Sequence, residues 1–331
     1  MKIVRAETPL RHYHFDSESL GFVDSLFLKG RERRSNFNRR MFDEDFARII
    51  NYTGRRGGIL FDISSNDEKL TDRLLSGIET RYGSRPVDEV VRELVREIAE
   101  SLVRSGAAYY FLKDGAERDD IHITPFSPNG VARLFGMYIQ WVPKRTERHW
   151  DRDDEVIPRE LRILNSAKVM RFVMPKAIKR MLSSQNRTLA VIDEHQFRMT
   201  DFHAQATHEN PNPTNHFDFS VWRNTQERAL YRSTRAIGWN GRKYDSSKRS
   251  DFFDCHRLIR FRRNQIALRD GILNQLSAEL ARIGRVYNSE FAVKISGTND
   301  LPSAAHLNEL EARLIREEAG FTEIIDYCFQ R

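Results

Sequence analysis

The sequence predicts an α+β protein: a mixed N-terminal α/β layer, then a mainly helical region with long helices, then a small C-terminal strand–helix element. Three observations carry this prediction. Residues 84–144 place one strongly amphipathic helical pattern before three short β-rich runs separated by turn signals. From Pro175 to Gly284 the apolar period is mostly helical. Residues 291–297 then return to a β pattern ahead of two short helices. A helix followed by strands, followed by helices, describes an α+β layer order.

Each element has a local cause. "KGRERRSNFNRR" (29–40) holds six basic residues around Phe37 with Glu32 as its only acid, and lacks apolar periodicity; it reads as a loop or an exposed helix end. "FDEDFARIINYTG" is a short helix stopping at Gly54, and "GGILFDIS" is a strand. "NDEKLTDRLLSGIETRYG" is a helix with Asn66 or Asp67 as its cap. In "SRPVDEVVRELVREIAESLVRSG", Ser84 can cap, Pro86 suits the first turn, Val87, Val90, Val91, Leu94, Ile98 and Leu102 form the buried stripe, and Gly106 ends the helix. "AAYYFLK", "DIHITPF" and "MYIQWVPK" are strands, punctuated by Asp114-Gly115 and "SPNG". The charged connection "RTERHWDRDDEV" marks a boundary near 150, giving a mixed α+β domain over 1–150 and a mainly helical domain over 151–331. "PRELRIL", the strand "KVMRFVM" and the Pro175-led helix "KAIKRMLSS" follow. The helical pattern breaks at "THENPNPTNHF", where two prolines forbid continuity, and at "GWNGRKYDSSKRS", with its turn pair Asn240-Gly241. A long helix covers about 252–284, then a strand "FAVKISG", a helix from Ser303 and a last helix "FTEIIDYC".

Composition bounds the function. The chain has 331 residues, 40% of them hydrophobic, enough for two domains with real cores. No apolar run reaches the roughly 18 residues of a membrane helix, and the N-terminus has no apolar stretch of signal-peptide length, so a cytoplasmic location is expected. Two cysteines, Cys255 and Cys328, allow no disulfide framework and no CxxC metal site. The net charge of +7 favours an anionic partner, with nucleic acid first. Of the 54 basic residues 43 are Arg, whose planar fork suits phosphate and carboxylate.

The long helix poses a question. Ile259, Ile266, Leu273 and Leu280 recur every seven residues, as do Cys255, Arg262, Arg269, Leu276 and Ile283. Both series share one face, apolar in its second half and carrying two arginines in its first. A buried charge without a partner costs about 3–5 kcal/mol. Arg257, Arg260, Arg262, Arg263 and Arg269 are therefore expected to meet a neighbouring subunit or phosphate, or to pair within the chain. A second basic feature is the 29–40 segment: Arg31, Arg33, Arg34, Arg39 and Arg40 could track a phosphate backbone, with Phe37 available for stacking.

Catalytic chemistry finds weaker footing. His195, His203, His208 and His216 cluster near Asp201, Glu209 and Asp218. His203 and His208 lie about 140° apart on an ideal helix, unlike the one-faced HExxH pair. His203, His208, His216 and Asp218 remain metal candidates for a nuclease or phosphodiesterase, but the favoured expectation is no metal, no cofactor and no catalysis. No GxSxG and no P-loop is present. "DISSNDEK" and "ERDDIHI" place acids beside strands, as many nucleases and many ordinary surfaces do.

The segments "VREIAESLVRSGAAYYFLKDG", "IHITPFSPNGVARLFGMYIQWVP" and "LRILNSAKVMRFVMPKAI" together resemble the tailed-phage portal (connector) family over about residues 84–180. The matching phrases are Gly106 to Tyr109, Pro128 to Gly130, and Arg171 to Pro175. The resemblance implies a ring of about twelve copies through which DNA is packaged and ejected, docking to a packaging ATPase, and no catalysis by this chain. Beside it stand two other readings: a nucleic-acid-binding protein of a phage-defence or mobile-element system, and the metal-dependent nuclease. Mass in solution separates a ring from a monomer or dimer.

Overall fold

The computed structural model of the chain describes residues 1–11, 20–28, 37–50, 59–79, 86–114, 121–147, 155–209, 227–241 and 250–329. The protein is mixed α+β, as the pattern predicts. It divides into two compact units, each assembled from three stretches: Met1–Arg31, Ile59–Met174 and Asp270–Thr298 in the first, Glu32–Gly58, Pro175–Arg269 and Asn299–Arg331 in the second.

The first unit holds all the strands found among the described residues. β1 (Lys2–Arg5), β5 (Val131–Leu134), β6 (Met137–Val142) and β9 (Glu160–Leu164) form one sheet in the order β1-β9-β6-β5. β1 runs parallel to β9, and the other pairs are antiparallel. A second sheet has the order β10-β3-β4, from β3 (Ala107–Asp114), β4 (Ile121–Phe126) and β10 (Val169–Val173). β2 (Phe61–Ser65) pairs with β11 (Val293–Gly297), matching Ile63 to Ile295, and β7 (Arg145–Glu147) pairs with β8 (Glu155–Ile157).

Helix α4 (Val87–Ser105) is the helical wall of this unit. Pro86 stands at its N-cap rather than in its first turn, and its carbonyl accepts the N–H groups of Glu89 and Val90. Val90, Val91, Leu94, Val95, Ile98, Ala99 and Leu102 are almost wholly buried, each large one stabilising by roughly 1.5–3 kcal/mol relative to exposure. Gly106 closes the helix at φ +82°, where a side chain would be strained, and its N–H returns to Leu102 O. The turn delivers the chain into β3, whose Tyr109 and Phe111 join Phe126, Tyr138, Leu164 and Val169 in one core cluster.

Helix α3 (Glu68–Ser76) is capped by Asp67, whose carboxylate accepts from Leu70 N–H. Asn66, the other candidate cap, instead bonds Glu290 O and Ala292 N–H. The helix ends at Gly77, earlier than the sequence pattern suggests, because the backbone there lies against Ile121; a Cβ would stand 2.1 Å from its carbonyl oxygen.

Helix α1 (Phe22–Phe27) has no counterpart in the sequence pattern. It buries its acid and exposes its hydrophobes. Asp24 is buried, paired with Arg159 at 2.9 Å and accepting from Trp141 Nε1–H at 3.0 Å, while Phe22 is 81% exposed. Phe27 stacks on Trp141.

Among its described residues the second unit is helical: α2 (Phe37–Ala47), α5 (Lys176–Glu209), a helical stretch at 227–233, the part of α6 (Asp251–Gly284) up to Arg269, α7 (Ala304–Ile315) and α8 (Phe321–Phe329). Helix α2 starts five residues earlier than its apolar pattern suggests, because α5 supplies its N-terminal cap (below). Cys255, Ile259 and Ile266 of α6 pack with Leu307, Leu310 and Leu314 of α7 and with Ile324 and Cys328 of α8.

Candidate nucleic-acid interface

Helix α5 has two unlike faces. Ile178, Leu182, Gln185 and Leu189, at helical spacing, are buried. The opposite face exposes Lys176, Lys179, Arg180 and Arg187, with the hydroxyls of Ser183, Ser184 and Thr188 among them. These residues line an open groove of about 610 Å³. No acid lies on the helix between Lys176 and Asp193. Asp193 itself is buried and committed to α2: it accepts the backbone N–H and side-chain amide of Asn38 and the backbone N–H of Arg39. None of the four cations has a carboxylate partner among the described residues. Four like charges over about three turns repel one another in the free protein and attract a polyanion.

The basic stretch 29–40 is only partly described. Arg31, Arg33 and Arg34 lie outside the described residues. Phe37 opens α2 and is half exposed; Arg40 is exposed, while Arg39 is partly buried and its guanidinium lies 4.0 Å from Asp43.

The arginines of α6 sit elsewhere than at a wet surface. Arg257 is 2% exposed, Arg262 2% and Arg269 5%. The second unit supplies their contacts. Arg257 donates to Asn240 Oδ1, Tyr231 O, Thr234 Oγ1 and Trp239 O, with its guanidinium over the Tyr231 and Phe253 rings. Arg262 donates to Gln265 Oε1, and Arg269 to Pro302 O. Of the two expectations, a neighbouring subunit or phosphate and pairing within the chain, these contacts are of the second kind: carbonyls, a hydroxyl and amides of the same chain receive the three guanidinium groups. Burial pushes the Arg262 guanidinium down to about 10; Cys328 opposes this shift and Arg269 adds to it. Arg263 binds Glu311 of α7, which also lies 3.2 Å from His256 Nε2; burial and then Arg260 lower the His256 imidazole. Arg260 is half-buried. The apolar half of α6 is core, with Leu273, Leu276 and Leu280 all buried.

His203 and His208 fall on the C-terminal stretch of α5, whereas His216 and Asp218 lie outside the described residues. Among the described residues no three of His, Cys, Asp and Glu are grouped to hold a metal ion. No described helix is long and apolar enough to cross a membrane.

The α5 face was absent from the residues singled out by sequence. Its signal was present: cations at 176, 179, 180 and 187, with apolar residues at 178, 182 and 189, separate cleanly on a helical wheel.

No protein-family model matches the sequence, and no curated protein matches it. Among solved structures the chain is similar to one in the neck of an empty GTA particle computed with C6 symmetry, at 12% identity and a TM-score of 0.42, covering 91% of this chain and 89% of that one. It is also similar to chains in the virion of the native gene transfer agent particle and in the neck of the native particle computed with C12 symmetry, each at 12% identity over 86% of this chain and 85% of the other, with TM-scores of 0.38 and 0.39.

Proposed function

We propose that the chain is a non-catalytic, DNA-associated structural protein that assembles into a ring in the manner of a tailed-phage portal. The observation that carries the nucleic-acid part is the acid-free basic face of α5, a multivalent cation array whose natural complement is a polyphosphate. The ring part is supported by the layout behind the portal resemblance. α4 ends in a left-handed Gly106, β3 and β4 pair, and β10 leads through Pro175 into the long α5. Docking to a packaging ATPase and residence in the virion belong to the same proposal.

Light scattering of the purified chain, with and without DNA, tests both parts. A particle of many copies that binds duplex DNA salt-sensitively is expected. A monomer or dimer removes the ring, and a DNA-binding monomer points to the second reading, a nucleic-acid-binding protein of a defence or mobile-element system using the same α5 face. No DNA binding at low salt removes both.

A further inference from the structure

We infer that the α5 face is a lane for duplex DNA that grips consecutive phosphates of one strand and reads no bases. The inference rests on the nucleic-acid reading above and gives that site its ligand geometry. Two rows of donors run along the helix. Lys176, Arg180, Ser184 and Thr188 form one row, and Lys179, Ser183 and Arg187 the other. Within each row the step is four residues, about 6 Å of helix rise, comparable with the step between successive phosphates of a strand. Cation and hydroxyl share the rows, and both kinds of group donate to phosphate oxygen.

What the lane lacks sets its selectivity. Base edges are read by side chains that both donate and accept, Asn and Gln above all, or by Arg forks placed in a groove. The two amides nearest the lane are turned away from it: Gln185 is buried, and Asn186 donates to Asp43 of α2. No aromatic side chain lines the groove among the described residues, so unstacked bases have no platform here. A single strand would therefore gain nothing from its exposed bases, while a duplex presents twice the phosphate density along its axis. The lane is also stiff. Its reverse side is held by Ile178, Leu182 and Leu189 in the core and by the Asp193 bonds to α2.

The test uses the full chain, a short fluorescent duplex of arbitrary sequence and its separated strands. Lys176→Gln, Lys179→Gln, Arg180→Gln and Arg187→Gln are combined; all four sites are exposed, and an unchanged melting curve confirms folding. Arg104→Gln, Arg232→Gln, Arg285→Gln and Arg316→Gln combined, all exposed and off the lane, control for the same loss of four charges. Expected are duplex binding by the wild type tighter than single-strand binding, a loss of about tenfold or more in the lane variant, and a log K against log salt slope lowered by about 0.9 for each phosphate released. Wild-type duplex binding with an unchanged slope in the lane variant overturns the lane and leaves the nucleic-acid reading standing. Equal or tighter binding of the single strand overturns the duplex assignment. Failure of the wild type to bind either probe overturns both the lane and the reading beneath it.

Discussion

Asp193 caps a helix whose second residue lies 155 residues before it: its carboxylate accepts Asn38 Nδ2–H at 2.7 Å and Asn38 N–H at 3.0 Å, at the N-terminus of α2. The first N–H groups of a helix have no partner within it, and here another helix provides one. Asp193→Ala is expected to cost about 1–3 kcal/mol, because two backbone donors and one amide lose their acceptor. Asp193→Asn, which keeps one acceptor oxygen, should cost less. Urea unfolding of both variants measures the order; equal losses would show that the charge matters and the acceptor does not.

The other end of α2 is held the same way. Gln265 Nε2 lies within donor reach of Asp45 O, Phe46 O and Arg48 O, while Gln265 Oε1 accepts from Arg262. Gln265→Glu gives Arg262 a charged partner but turns a carboxylate toward three carbonyls. The loss of the donor is expected to win, with a net cost of about 1–3 kcal/mol. A thermal melt showing stabilisation would mean that the buried guanidinium is the larger liability.

Arg257→Met is expected to lower stability by about 2–4 kcal/mol, since four acceptors lose their donor inside the second unit. Assembly and DNA binding of the surviving folded protein should be normal. Leu276→Ala, a pure truncation of core, should cost about 2–5 kcal/mol. Normal melting of Arg257→Met with lost assembly would restore the interface role for this arginine.

Burial pushes the Cys255 thiol up to about 11 and the Cys328 thiol up to about 12, from an ordinary 9.0. Above 9.0 the unfolded chain releases these protons first, so it binds fewer protons than the folded chain and stability falls as pH rises toward 11. Comparing urea midpoints just below 9.0 and near 11 in wild type and in Cys255→Ala with Cys328→Ala checks the sign: the alkaline loss should shrink in the double variant. Thiol labelling near neutral pH should be slow in the folded protein, because little thiolate is present.

Phe135 and Gly136 form the two-residue turn between β5 and β6, at φ +49° and +81°. The aromatic is 98% exposed, so no packing offsets its left-handed backbone. Phe135→Asn is expected to stabilise by about 0.5–1 kcal/mol in a thermal melt. A destabilised variant would mean that the ring contributes to the fold from an exposed position.

Sequence reading found the elements whose cause is local. The α4 stripe, the Asp67 cap, the β3 and β4 runs and the Leu273–Leu280 core face follow from period and capping chemistry within a few residues. Its misses have non-local causes. α1 is held by Arg159 and Trp141, so its own six residues look like an exposed apolar scrap. The early start of α2 depends on Asp193. The α6 arginines take Pro302, Trp239 and Gln265 as acceptors, distant or side-chain partners that no local pattern names. The compact units are interleaved along the chain, each built from three stretches, which no local charge or periodicity signal reveals.

That interleaving governs how the protein can be made. β2 finds its partner in β11, with Ser65 opposite Val293, so the first unit stays open until synthesis has passed Gly297. α2 must likewise wait for Asp193 and then Gln265 before its ends are closed. Each unit waits for stretches that lie beyond stretches of the other, and early strands such as β2 emerge with an unpaired edge. No cut at one point of the chain therefore separates one unit from the other.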